Sequence, residues 1–258
     1  MSRIEKAFSG RKALIPYITL GYPSAETALE VVPLLEEWGA DMVELGIPFS
    51  DPLADGVTIQ EASLQALSRG MNPGLALEIA SRLKSRVAIP LVFMSYYNPI
   101  FRFGLSAFCR ACAESGVGGL IVPDLPPEEG GDLGQACEEN GLDLVYLLAP
   151  NSGKSRIRLV AASSGGFIYL VSLTGVTGPR EALPPSLEAF VKRVRRETSL
   201  PLAVGFGIAG PEQAKRVARV ADGVIVGSRI VQLIKDDPGL GKLGEFVRGL
   251  RAALDSTI

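Results

Sequence analysis

The chain contains no histidine among its 258 residues. That removes every Ser–His or Cys–His nucleophile and every zinc site that needs imidazole, so proton transfer falls to carboxylates, tyrosines, lysines or thiols. One carboxylate stands out. Glu44 closes the apolar run Asp41-Met42-Val43-Glu44-Leu45. In a strand, side chains alternate, so Val43 and Leu45 face one way and Glu44 the other. At the mouth of a barrel such a glutamate is partly desolvated, and its pKa rises toward that of a useful general acid–base. The competing reading is a strand-end glutamate held in a salt bridge. Asp55, in the long apolar loop Gly46–Thr58, can reach over the same mouth; placed before Gly56, it can equally cap the following helix. Asp51-Pro52 in that loop also reads as a turn.

Three glycine-bearing stretches follow apolar runs later in the chain: Gly175-Val176-Thr177-Gly178, Gly205-Phe206-Gly207 and Gly227-Ser228. Singly, each is ordinary turn chemistry. Together, after the last strands of a barrel, they describe a phosphate cradle of backbone N–H groups completed by the N-terminus of a short helix, Ser228–Ile234. Such a cradle requires no lysine or arginine. The loop Leu173–Pro185 exceeds a plain connection and suits a closing lid.

Positioning these groups requires a regular scaffold, and the sequence alternates short β-branched runs with amphipathic ones. Strands are expected at 13–20, 41–45, 90–94, 119–122, 142–148, 167–172, 201–204 and 223–226. Helices are expected at 24–38, 58–69, 73–86, 105–115, 127–140, 154–163, 187–198 and 211–220, with closing helices to Asp255. Near-continuous apolar strands, each followed by a helix, imply a parallel sheet covered on its outer face. Eight such units close most naturally into a (β/α)8 TIM barrel, an α/β fold of about 250 residues. A doubly wound open sheet is the alternative, but Leu20-Gly21-Tyr22-Pro23 lacks its glycine fingerprint. Arg3–Ser9 reads as a short helix across the barrel floor. No linker or composition shift divides residues 1–258, so a single domain is expected.

Composition narrows the class. Apolar residues make up 47% of the chain, enough for a large core, and 29 glycines and 18 prolines punctuate the apolar runs. The 26 basic and 28 acidic residues give a net charge of −2, with no footprint for nucleic acid or an anionic membrane. No apolar h-region follows Met1–Lys6 and no run reaches a membrane span, so a cytoplasmic protein is expected. Cys109-x-x-Cys112 lies in a helical pattern without a second pair, and reads with Cys137 as small buried apolar residues. No metal is expected.

The block Glu44-Leu45-Gly46-Ile47-Pro48-Phe49-Ser50-Asp51-Pro52-Leu53-Ala54-Asp55-Gly56 closely resembles the signature of tryptophan synthase alpha chains. Met94–Ile100 (MSYYNPI), Val122–Pro126 (VPDLP), Gly175–Gly178 and Val204–Ile208 (VGFGI) continue the resemblance in family order along essentially the whole chain. The resemblance implies retro-aldol cleavage of indole-3-glycerol phosphate to indole and glyceraldehyde 3-phosphate, without cofactor or metal. It makes Glu44 the general acid–base and Asp55 the carboxylate that holds the indole N–H. Tyr169 matches a tyrosine that orients the glutamate, though a core aromatic is the plainer reading. It places Gly178, Phe206, Gly207, Gly227 and Ser228 around the phosphate and brings Thr177 to the catalytic aspartate. Tyr96, Tyr17, Ile59, Leu125 and Ile225 are wall residues by the same match, although core packing explains the apolar ones equally well. Leu173 departs from the arginine of many relatives, so a lid ion pair through that arginine is absent. The implied partner is a beta chain in an assembly of two alpha and two beta chains, contacted through Asp51-Pro52 and Asn98-Pro99-Ile100. Rival readings are a stand-alone lyase, a non-catalytic regulator of a beta chain, and another phosphate-sugar barrel such as an epimerase. The last would share the cradle but not the Gly46–Gly56 loop.

Overall fold

The computed structural model describes residues 1–171, 186–205 and 207–257. Its first third runs α1 (Arg3–Lys6), β1 (Ala13–Thr19), α2 (Thr27–Glu37), β2 (Val43–Gly46), α3 (Val57–Ser68), α4 (Pro73–Leu83) and β3 (Leu91–Met94). Then come α5 (Tyr97–Phe103), α6 (Leu105–Glu114), β4 (Val117–Ile121), α7 (Gly131–Glu139), β5 (Asp143–Val145), β6 (Leu147–Leu148) and α8 (Lys154–Ser163). The last third holds β7 (Ile168–Val171), α9 (Leu187–Arg195), β8 (Leu202–Gly205), α10 (Pro211–Ala218), β9 (Gly223–Val226), α11 (Ser228–Asp236) and α12 (Gly241–Asp255).

Every described pairing is parallel, in the order β5-β4-β3-β2-β1-β9-β8-β7-β6. The two ends of that order are consecutive in the chain. Between them Tyr146 interrupts one strand, and its carbonyl accepts the Tyr169 N–H at 3.1 Å. The sheet therefore closes on itself as the expected barrel, with its fifth strand in two pieces. Strands buried on both faces need continuous apolar sequence, and β1 and β9 are buried at every position.

The floor is plugged by α1, which is shorter than expected. The Ser2 side chain caps it by accepting the Glu5 N–H at 3.2 Å, and Ile4 is fully buried. Gly119 and Gly166 make room: a Cβ on either would lie 2.7 Å from an Ile4 side-chain carbon. At the opposite end α5 was not anticipated. It starts where the Asp124 carboxylate accepts the Tyr97 N–H at 2.9 Å, and Gly104, at φ +96°, separates it from α6. Ser24 does not cap α2, which begins at Thr27; its hydroxyl instead bonds that of Thr27 at 3.2 Å. All three cysteines are buried and unbridged. No helix among the described residues is long and apolar enough to cross a membrane.

Candidate active site

The C-terminal ends of β1, β2, β3, β7, β8 and β9 and the following loops surround a cleft of about 550 Å³, open to solvent. Glu44 projects into it from β2, in register with Tyr17 of β1 and Val92 of β3. Glu44 is 1% exposed, and neither carboxyl oxygen has a hydrogen-bond partner among the described residues. Among the described residues no salt bridge holds it. Burial first, and the nearby Asp55 second, push the Glu44 pKa from its ordinary 4.5 up to about 8.

Asp55 is 5% exposed. It does not cap α3, whose N-cap is Gly56 with no side-chain bond. Its carboxylate instead accepts the Tyr96 hydroxyl at 3.2 Å, and that hydroxyl accepts the Ala54 N–H at 2.9 Å. Phe49 stacks on the Tyr96 ring at 5.2 Å, and the Ile47 N–H bonds the Met94 carbonyl at 2.8 Å. One tyrosine beyond β3 thus moors the loop that carries Asp55. Burial raises the Asp55 pKa to about 6, and the Tyr96 bond partly offsets the rise by favouring the ionised form.

Tyr17 and Tyr169 complete the floor of the cleft. Each ring fits because the next strand ends in glycine: a Cβ on Gly46 would overlap the Tyr17 hydroxyl, and one on Gly205 that of Tyr169. Burial drives both phenols well above their ordinary pKa, so both remain protonated donors. The far wall is formed by Gly207, Ile208, Ala209, Ile225, Gly227, Ser228 and Arg229. There α11 begins with Gly227 as its N-cap, and its first N–H groups have no intrahelical acceptor.

Of the residues expected from sequence, Glu44, Asp55, Tyr169, Tyr17, Ile59, Ile225, Gly207, Gly227 and Ser228 all line this cleft. Tyr96 reaches it through Asp55. Leu125 does not line it; with Val122, Pro126 and Tyr146 it borders a neighbouring groove open to solvent. Thr177, Gly178, Phe206 and the stretch 173–185 lie outside the described residues. Met94, Ile208, Ala209 and Arg229 were missed. Met94 and Ile208 stood inside quoted motifs, and their place at strand ends was the available signal.

A family model described as tryptophan synthase alpha chain matches residues 4–246. The chain belongs to the tryptophan synthase alpha chain family. The alpha chain of Dehalococcoides mccartyi is 59% identical over 255 residues, covering 99% of this chain and 100% of that one. That of a Roseiflexus species is 48% identical over 260 residues, covering 97% and 100%. Tryptophan synthase of Mycobacterium tuberculosis superposes with a TM-score of 0.92 at 36% identity, covering 98% of each chain. An Aquifex aeolicus structure gives the same score at 39% identity, covering 98% of this chain and 99% of its own. The alpha chain motifs read from the sequence are thereby borne out, and this family scaffold is the one on which the cleft is built.

Proposed function

We propose that this chain performs the alpha reaction of tryptophan synthase, retro-aldol cleavage of indole-3-glycerol phosphate, with Glu44 and Asp55 in unequal roles. The observation that carries the assignment is a pair of buried carboxyls in one cleft, Glu44 with neither oxygen bonded among the described residues and Asp55 accepting the Tyr96 hydroxyl. That asymmetry spreads their pKa values to about 8 and about 6. Between those values Glu44 holds a proton and Asp55 a charge. Glu44 delivers its proton to indole C3. The ring nitrogen then carries positive charge, which the Asp55 carboxylate stabilises in a site where water screens little. The Glu44 carboxylate next takes the proton of the hydroxyl on the carbon attached to C3. The carbon–carbon bond breaks, its electrons return to the ring, and indole and glyceraldehyde 3-phosphate leave. Glu44 ends protonated, so the cycle closes without a cofactor.

Tyr17, Ile59, Met94, Ile208 and Ile225 suit an indole wall, while Gly207, Gly227 and Ser228 suit the phosphate. Tyr169, which lines the cleft with Glu44 but does not bond its carboxyl in this structure, is assigned to orient the glutamate when substrate is bound. Residues 1–258 act as one barrel domain, and indole passes to a beta chain in an assembly of two chains of each kind. Glu44→Gln keeps the side chain's shape and removes its proton transfer. Indole release should fall by about 10²–10⁴-fold with substrate binding retained. Near wild-type release would overturn the mechanism.

A further inference from the structure

We infer that Arg229 is a phosphate-binding residue of this enzyme, closing on the substrate's dianion from the first turn of α11. The inference rests on the lyase reading above and adds a full positive charge to a cradle otherwise made of backbone N–H groups and a hydroxyl.

Arg229 lines the same cleft as Glu44 and Asp55, beside Ser228 and Gly227. It is half-buried. Its only described polar contact is local: Nη1 donates to the Gln232 side-chain oxygen, one turn along, at 3.0 Å. No carboxylate pairs with it among the described residues, whereas the buried Arg251 of α12 holds Asp41 at 2.9 Å.

Its position in the helix is also unfavourable. A cation in the first turn opposes the helix dipole, and the first turn of α11 contains no acidic residue to compensate. An anion at that N-terminus reverses the sign, because the dipole, the free N–H groups and the guanidinium then act together. The cleft needs such a group. The ionised Asp55 lines the same cleft and repels a phosphate, whereas Glu44 is neutral while it holds its proton. A cation at the far wall therefore sets the direction in which an anionic substrate enters, phosphate toward α11 and ring toward Glu44.

The test compares wild type with Arg229→Gln and Arg229→Lys in the presence of the beta chain. For Arg229→Gln, KM for indole-3-glycerol phosphate should rise about 10- to 100-fold, the range for a lost charged hydrogen bond, while kcat changes less than about threefold. Inorganic phosphate, used as a competitive inhibitor, should weaken by the same factor, and binding of indole, which has no phosphate, should not change. Arg229→Lys should recover part of the loss, since a point charge replaces a planar fork. The inference is overturned if Arg229→Gln leaves KM and phosphate inhibition within about twofold of wild type. It is equally overturned if phosphate and indole binding weaken together. Failure of wild type to release indole would instead sink the lyase reading, and direct phosphate titration of the two proteins would still decide the role of Arg229.

Discussion

The Tyr96 hydroxyl accepts the Ala54 N–H and donates to Asp55, so it both holds the loop and sets the charge of the aspartate. Activity requires Asp55 ionised and Glu44 protonated, so the rate should rise with pH through about 6 and fall through about 8. Removing the hydroxyl in Tyr96→Phe withdraws a bond that favours the carboxylate. The Asp55 pKa then rises further, and the acidic limb of kcat/KM should move up by about 0.5–1 pH unit while the alkaline limb stays. The substrate's phosphate also titrates near the acidic limb, but it does so equally in both proteins. An unmoved acidic limb in Tyr96→Phe would show that Asp55 does not control it.

Strands and helices were legible where period and punctuation agreed: β9 and α8 match their expected bounds, and most others differ by a few residues at their ends. The departures have local causes. The helix α5 has only seven residues, contains Pro99 and leaves Phe101 59% exposed, so no apolar stripe announced it. Glu44 was legible because strand alternation and the shortage of other bases pointed to it together. Arg229 was not, because a lone arginine on a helix reads as a solvated charge until the barrel closes and turns that turn toward the cleft. The beta-chain contact was legible only in outline. Asp51 and Asn98 are exposed as expected, but Pro52 and Ile100 are buried. The apolar surface there belongs to Leu53, 86% exposed in the loop after β2, and to Phe101 on α5. Phe101→Asp should weaken association with the beta chain at least about tenfold in sedimentation, since a charge would have to be buried unpaired, and leave basal indole release by the isolated chain unchanged. Wild-type association would place the interface elsewhere.

At the scale of the whole molecule, the cleft weakens the barrel that carries it. Asp41 shows the stabilising arrangement: its buried carboxylate accepts the Leu14 N–H at 2.8 Å and is paired with Arg11 and Arg251, tying β1 to α12. Glu44 is buried with no hydrogen-bond partner among the described residues, and its folded pKa lies above its unfolded one. Below about pH 4.5 the group is protonated in both states and costs nothing. Between 4.5 and about 8 only the unfolded chain ionises, so the native state holds the extra proton and stability falls as pH rises. Above about 8 both states are ionised and the loss is complete. Glu44→Gln has no proton to lose. Its stability relative to wild type should therefore grow from pH 4.5 to 8 and then level off, although the variant is catalytically impaired. Urea unfolding of both proteins across that range measures the difference directly, and Asp55, present in both, contributes equally between about 3.8 and 6. A difference that stays constant from pH 4.5 to 8 would mean that Glu44 ionises as readily in the fold as outside it. The cleft would then lack the protonated acid that the cleavage needs.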